Sequence, residues 1–203
     1  WEMALDEMVM TQMNGAAAPA YDVSALLARI EALEQRVGEL EESPAQDIED
    51  RLAMVIFSGD LDKAIASFII ATGAAAMGLD VSMFFTFWGL SVIKKKTKFA
   101  DKTILEQGFA AMLPGGSKNL PLSQMSFFGA GSKIIRKLMK DHDVTSLEEM
   151  IGMAQEFGVR MVACEMSKEL LGVHDDELID GIEFGGVATF MGDASRAKAS
   201  LFI

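Results

Sequence analysis

Cys164 is the only cysteine in this chain of 203 residues, and its position makes it the first candidate for chemistry. The apolar run Val159–Ala163 before it predicts a buried strand, and Ser167-Lys-Glu-Leu-Leu after it predicts the opening of a helix. A thiol at that changeover lies at the carboxyl end of a strand, where open α/β sheets bind their ligands. The positive end of a helix favours the thiolate, whereas the neighbouring Glu165 disfavours it. Since free cysteine is often a buried hydrophobe, position alone leaves a nucleophile and a core residue equally open.

The elements that would position this thiol belong to a parallel sheet. Leu52–Phe57 is a continuous apolar run of the kind found in strands buried on both faces. A helix at Leu61–Met77 and a second strand at Val81–Trp88 complete a βαβ unit. We expect a last strand near Gly185–Met191, and the apolar tail Leu201–Ile203 predicts a short edge strand or an interface element. The fold class is therefore α/β, an open and mainly parallel sheet in three layers with helices on both faces.

Parallel strands bring their carboxyl ends to one edge of a sheet, which is the default position of a binding pocket. The loops expected there place a common set of side chains around Cys164. These predicted pocket residues are Ser58, Gly59, Trp88, Gly89, Glu165, Met166 and Ser167. Gly192-Asp193 is expected at the same edge. The sequence supplies neither a catalytic triad nor a set of metal ligands, so no metal or other cofactor is predicted.

The rest of the domain predicts mostly helix. Residues 90–125 are expected to be irregular, with helices following at Ser126–Lys140 and Ser146–Phe157. Ser146 and Glu149 form a capping box at the start of the second helix. The lysines of the segment Lys94–Lys98 could attract an anionic substrate or an acidic partner, but a solvated loop is the interpretation that we favour.

The N-terminal part of the chain differs from the domain that follows it. Residues 1–21 contain Ala, Pro and Gly and are interpreted as a flexible segment. Residues 22–43 carry apolar side chains at alternating spacings of three and four, the a/d pattern of a coiled coil, with Asp22 as the N-cap. A helix packing on its own domain would need a wider stripe, so self-association is predicted. Ser43-Pro44 ends the helix, and the α/β domain occupies residues 51–203.

Charge and composition exclude several classes of protein. The formal net charge is −12, with 30 acidic and 18 basic residues, which argues against nucleic acid as a partner. One cysteine permits neither an internal disulfide nor a cysteine-rich zinc site, and a reducing cytoplasm is the expected location. The start of the chain lacks the pattern of a signal peptide. The longest uncharged run, Ala64–Leu79, is too short and too interrupted to suggest stable membrane insertion.

A family resemblance adds to these inferences. The block Val162-Ala-Cys-Glu-Met-Ser167, the loop Phe57-Ser-Gly-Asp-Leu-Asp-Lys63 and the block Phe85-Thr-Phe-Trp-Gly-Leu90 resemble the DsrE/DsrF-like sulfur-relay family. More narrowly, these blocks resemble the branch once labelled "peroxiredoxin family protein". The resemblance covers residues 51–203. It implies oligomers and a cysteine, here Cys164, that carries sulfur as a persulfide, whereas no peroxidatic Thr/Pro–Arg setting surrounds this residue. Lys168-Glu169 departs from the usual pattern of the branch.

Two hypotheses follow for the function. The first is a sulfurtransferase or sulfur carrier that holds sulfane sulfur as a persulfide on Cys164 and relays it to an acceptor thiol, in company with donor and acceptor proteins. Whether such a carrier is an enzyme stays open. The second is a non-catalytic oligomeric module that binds a small ligand and in which the cysteine is structural. The sequence identifies no donor, acceptor or direction of transfer.

Overall fold

The computed structural model describes residues 22–42, 48–100, 102–125 and 129–203. These residues form two compact units, an N-terminal helix and an α/β domain. The predicted flexible segment 1–21, the Ser43-Pro44 stop and the predicted helix start at Ser126 lie outside the described residues. No helix in the described ranges combines the length and the apolar character needed to cross a bilayer.

Helix α1 spans Val23–Glu42, which confirms the predicted helix. Its cap is the predicted one, because Asp22 Oδ1 accepts hydrogen bonds from the backbone N–H groups of Ser24 (3.0 Å) and Ala25 (3.3 Å). Apolar side chains of the a/d stripe are about half exposed in the single chain: Leu26 48%, Ile30 50%, Leu33 52% and Val37 52%. The stripe is thus present and available for a partner.

The α/β domain is built on a sheet of five parallel strands. They are β1 (Glu49–Ile56), β2 (Asp80–Phe85), β3 (Arg160–Cys164), β4 (Glu183–Gly185) and β5 (Ala197–Phe202). Their order across the sheet is β4-β3-β2-β1-β5, and every neighbouring pair is parallel. The strand at the end of the described chain, β5, lies at the edge, as predicted.

Helices connect the strands and cover the sheet. They are α2 (Leu61–Ala76), α3 (Ile104–Met112), α4 (Ala130–Asp141), α5 (Leu147–Glu156), α6 (Glu165–Leu170) and α7 (Val187–Ala194), with 3-10 helices at Phe87–Ile93, Ser117–Asn119 and Asp175–Glu177. The predicted capping box of α5 is confirmed, because Ser146 Oγ accepts from the Glu149 N–H and the Glu149 carboxylate accepts from the Ser146 N–H.

The two faces of the sheet have unequal cores. Successive side chains of a strand face opposite sides, and in β2 Met83 and Phe85 belong to the main core together with residues of α2 and α5. Phe84 faces the other side, in a small cluster with Cys164 that Phe190 of α7 covers. Helices therefore lie on both faces, and the predicted three-layer α/β architecture is confirmed.

Two predicted strands were placed wrongly. β2 ends at Phe85 rather than Trp88, because Phe87 has a left-handed backbone conformation (φ 46°) from which a strand cannot continue. The strand expected at Gly185–Met191 is instead the end of β4 followed by α7. A short apolar run such as Val187-Ala-Thr-Phe-Met191 fits a strand and a buried helix equally well by pattern.

The segment 90–125 is also more regular than predicted. It begins inside a 3-10 helix and contains α3, whose start at Thr103 has a capping box with Glu106. The pattern Thr-x-x-Glu before an apolar run is a known helix start, so the sequence held a signal for α3 that the prediction did not use.

Candidate functional site

Cys164 is the last residue of β3 and directly precedes α6. The structure therefore places it at the changeover from strand to helix that the sequence pattern indicates. Only 4% of the residue is exposed, and it packs with Phe84, Val162 and Phe190. The thiol lies in a small apolar layer between the sheet and α7.

Helix α7 forms the cover of this layer. Its Phe190 ring lies against Phe84, with ring centroids 5.6 Å apart. Three groups of the sheet hold its other end: Asp193 accepts hydrogen bonds from Arg51 (2.5 Å), Ser82 (2.8 Å) and Arg160 (2.7 Å). Asp193 is the one buried residue of the helix. Ion pairs of Asp193 thus fix one end of α7, while the partly buried Phe190 ring holds the end near Cys164.

Asp193 therefore does not lie at the carboxyl edge of the sheet, where it was predicted. Arg51 and Arg160 lie at or near the amino ends of β1 and β3, and both bind the Asp193 carboxylate. Gly192-Asp193 consequently lies at the opposite end of the strands from Cys164. The expectation failed because α7 had been interpreted as a strand, which would have ended at that position.

Of the three residues that follow Cys164, two are exposed and the third is buried and hydrogen-bonded. Glu165 and Met166 are exposed, Met166 to 62%. Ser167 is fully buried, and its hydroxyl shares a hydrogen bond of 2.8 Å with the hydroxyl of Thr86, the residue that follows β2. This bond joins the first turn of α6 to the carboxyl end of the neighbouring strand.

The predicted pocket residues after β1 and β2 form a separate group. The Gly89 N–H donates to the Phe57 carbonyl (2.8 Å), which holds the two loops together. Ser58, Gly59 and Trp88 line a pocket of about 310 Å³, which we call the Trp88 pocket. Its described lining includes neither Cys164 nor Glu165, Met166 and Ser167. The predicted set is therefore divided between the start of α6, directly after Cys164, and the two loops at the Trp88 pocket.

A row of aromatic rings along the carboxyl edge of β1, β2 and β5 was not predicted. The Phe57 ring lies 5.6 Å from that of Phe87 and 5.7 Å from that of Phe202, measured between centroids. The Phe87 ring in turn lies 6.4 Å from Trp88. The pairing of β1 with β5 brings Phe202 to Phe57, and no local pattern in the sequence specifies that register.

The lysines of the segment Lys94–Lys98 form ion pairs with acidic side chains. Lys94 was expected in a solvated loop, but its side chain is 1% exposed and lies 4.0 Å from Glu177. Lys102, also fully buried, donates to Glu177 at 2.7 Å. Burial lowers the pKa of Lys94, and the attraction of Glu177 only partly opposes that effect.

The other lysines of the segment make ion pairs at the surface. Lys95 binds Asp180 (2.7 Å), and Lys96 (3.3 Å) and Lys98 both bind Asp176. The cluster is thus satisfied largely by the acidic segment that follows His174, a correspondence that the run Asp175-Asp-Glu177 could have suggested. No group of three or more His, Cys, Asp or Glu side chains in the described ranges is arranged to hold a metal ion.

Several known proteins are similar to the α/β domain of this chain. Residues 48–202 match the model of the DsrE/DsrF/DrsH-like family. Over 154 residues the chain is 46% identical to "Uncharacterized protein YrkE" of Bacillus subtilis, covering 75% of this chain and 96% of that protein. Over 156 residues it is 36% identical to "Sulfur carrier protein DsrE2" of Allochromatium vinosum, covering 75% and 98%. A crystal structure of the Escherichia coli ychN protein matches with a TM-score of 0.48 and 12% identity, covering 75% of this chain and 98% of that one.

Proposed function

The chain belongs to the DsrE/DsrF/DrsH-like family, and from this premise we propose that it is a sulfur carrier working through Cys164. The supporting observation is the place of the chain's only cysteine, at the end of β3 and before α6 in a parallel sheet. The name of the Allochromatium vinosum relative, a sulfur carrier, supports the same role.

The proposed chemistry is a transfer of one sulfane sulfur between thiols. The Cys164 thiolate attacks the outer sulfur of a donor persulfide, R–S–SH. A bond forms between Sγ and that sulfur, the sulfur–sulfur bond of the donor breaks, and the donor leaves as the thiolate R–S⁻. An acceptor thiolate then attacks the outer sulfur of the Cys164 persulfide in the same way. Each step conserves the sulfane sulfur and needs no external oxidant or reductant.

The surroundings of Cys164 suit a carried sulfur that must be protected. An apolar layer keeps water and stray thiols from the persulfide, and Ser167 and Thr86 fix the first turn of α6 beside it. Because a single thiol carries the sulfur, donor and acceptor are other molecules. The relay therefore operates in a reducing compartment such as the cytoplasm, with donor and acceptor proteins as partners.

Intact mass spectrometry tests the proposal directly. After incubation with polysulfide or thiosulfate and removal of the donor, the full chain should gain the mass of one or more sulfur atoms. Cys164→Ser should gain none while keeping the same circular dichroism spectrum and unfolding temperature. Absence of a gain with every donor would contradict the carrier role. It would favour the alternative, a small-ligand-binding module in which the thiol is structural.

A further inference from the structure

The Trp88 pocket is a cavity that the proposed sulfur transfer leaves unexplained. Its volume of about 310 Å³ falls at the small end of the range of roughly 300–1,000 Å³ typical of small-molecule sites. Phe109 and Leu113 of the pocket wall pack against the main core of the domain. Cys164 belongs to the cluster on the other face of the sheet.

The backbone around the pocket is fixed by close contacts that only glycine permits. A Cβ on Gly59 would lie 2.7 Å from the Trp88 carbonyl oxygen, and one on Gly89 would lie 2.0 Å from the Ile56 carbonyl oxygen. Phe87, directly before Trp88, has φ 46°, an unfavourable conformation for a bulky residue. Such strain persists where the surrounding structure holds it, and here it determines where Trp88 stands at the pocket.

Two polar groups at the pocket have unused hydrogen-bonding capacity. Ser91 lines the pocket, is 1% exposed, and its hydroxyl has no hydrogen-bond partner among the described residues. Asp60 Oδ2 accepts from Ser58 Oγ (2.8 Å) and from Lys63 Nζ (3.1 Å). No described residue donates to Asp60 Oδ1. The Asp60 side chain is 25% exposed and Ser91 lines the same pocket, so the polar head of a ligand can bind both groups.

The charge of the lining limits what that head can be. No lysine or arginine is among the described lining residues, and the one charged group that lines the pocket is the Asp60 carboxylate. An anionic ligand would meet this carboxylate without a lining cation, whereas a hydroxyl or an ammonium group can donate to it. Trp88, Phe109, Met112 and Leu113 offer an apolar surface to the remainder of the ligand.

We propose that the Trp88 pocket binds a compact amphipathic small molecule, uncharged or cationic, with an apolar body and a head that donates hydrogen bonds. The head binds Asp60 Oδ1 and the Ser91 hydroxyl, and the body lies between Trp88 and the side chains of α3. Nucleotides and other phosphorylated ligands do not fit this lining. The site is independent of Cys164, so sulfur transfer and ligand binding are tested separately.

The test uses three probes of similar shape and different charge, namely benzylamine, benzyl alcohol and benzoate. Each is titrated into the ¹⁵N-labelled full chain, and amide chemical shifts are followed. Benzylamine and benzyl alcohol should shift the Gly59, Gly89 and Ser91 signals saturably. Benzoate should bind at least about tenfold more weakly than benzylamine, because its carboxylate faces Asp60. Absence of saturable shifts at these residues with all three probes, or equal binding of benzoate and benzylamine, overturns the proposal.

Two aspartates at the start of α2, the N-cap Asp60 and Asp62 in the first turn, supply a matched pair of variants. Asp60→Asn should weaken benzylamine binding roughly fivefold or more and leave benzyl alcohol binding nearly unchanged, because the amide oxygen still accepts a hydrogen bond. Asp62→Asn should change neither, since Asp62 does not line the pocket and accepts instead from the Ser123 N–H (2.9 Å). Equal effects of the two variants would show that only long-range charge matters, which also overturns the site.

Discussion

The Cys164 thiol has to leave its apolar cover before it can exchange sulfur with another molecule, because the residue is only 4% exposed. The side chain that covers it from outside the sheet is Phe190, a partly buried ring on a helix whose other residues, Asp193 apart, are not buried. Local opening of such a weakly held element costs less free energy than global unfolding. Phe190 is therefore the residue that we expect to set the accessibility of the thiol.

Replacing Phe190 by Ala should accelerate alkylation of Cys164 in the native state. Truncation of a fully buried Phe costs about 3–5 kcal/mol, so loss of this partly buried ring should lower the cost of opening by about 2 kcal/mol. That corresponds to a labelling rate roughly tenfold or more above that of the wild type. The rate of iodoacetamide incorporation, followed by intact mass, measures it, since the chain has one cysteine.

Met191→Ala is the control, because Met191 is the next residue along α7 but is 53% exposed. Its labelling rate should stay close to that of the wild type. Low concentrations of urea separate local from global opening, because a local event exposes little surface and responds weakly to denaturant. An unchanged rate in Phe190→Ala, or a rate that follows global unfolding, would contradict the role given to Phe190.

The sequence specified the chemistry-bearing residue better than its environment. The position of Cys164 follows from a local signal, the change from an apolar run to a polar helix start. Both parts of this signal lie within a few residues of Cys164, so the sequence pattern shows them directly. Its separation from Trp88 depends on which face of the sheet each side chain meets. This separation follows from the tertiary packing of α3 and α7. Residues 90–125 were predicted to be irregular and residues 185–191 to be a strand, so neither helix was foreseen.

At the scale of elements, the buried group of Glu177, Lys94 and Lys102 joins the segment after β2 to the segment after α6. Backbone bonds accompany it, including Lys95 N–H to the Glu177 carbonyl (2.8 Å) and Ile179 N–H to the Ile93 carbonyl (2.9 Å). Two buried lysines share one carboxylate, so removal of Glu177 would leave buried positive charge without a partner, which lowers the stability of the domain. This group therefore fixes the connection in its conformation.

Glu177→Gln should destabilise the domain by about 3–5 kcal/mol, because it leaves two buried ammonium groups without an anion. Urea unfolding followed by circular dichroism gives the change in the free energy of unfolding. Asp176→Asn is the matched control, since Asp176 binds Lys96 and Lys98 at the exposed surface and its loss should matter little. A small effect of Glu177→Gln would contradict the role given to the Glu177 carboxylate.

The same group predicts the direction of a pH dependence. Burial alone would raise the pKa of the Glu177 carboxyl, but hydrogen bonds from Lys102 and from the His174 and Lys98 N–H groups outweigh it and hold the pKa below its ordinary value of 4.5. The native state therefore favours the charged carboxylate. Its contribution to stability is present above about pH 4.5 and is lost as the pH falls through the lower native pKa. Urea midpoints measured downward from neutral pH should fall less steeply in Glu177→Gln than in the wild type.

Regular elements with strong local signals were predictable, and elements defined by contacts were not. β1, β3 and the capping box of α5 follow from apolar runs and a Ser-x-x-Glu pattern. α7 and the 3-10 helix after β2 depend on Asp193 meeting two arginines from distant strands and on Gly89 packing against β1. Contacts between residues far apart in sequence leave no periodic trace, so these two elements were assigned wrongly.

At the scale of the whole molecule, exposed apolar side chains are widespread, and two of the regions that hold them bear on the proposed function. One is the stripe of α1, and the other surrounds the cover of Cys164, where Met166 is 62% and Val187 71% exposed. Apolar surface that stays exposed in a single chain often marks an interaction site. We propose that α1 mediates self-association, which leaves the surface around Cys164 for donor and acceptor proteins.

Ile30→Asp combined with Leu33→Asp tests this assignment. These residues occupy consecutive a and d positions of the stripe, so in any helical seam the variant would bury two unpaired charges at a cost of several kcal/mol. Sedimentation velocity should show a wild-type oligomer and a variant with fewer copies. The control, Ala25→Asp combined with Ala32→Asp, adds the same charge at exposed positions outside the stripe and should keep the wild-type assembly. An oligomer that survives in the Ile30 and Leu33 variant would show that the α/β domain, rather than α1, makes the contact between copies.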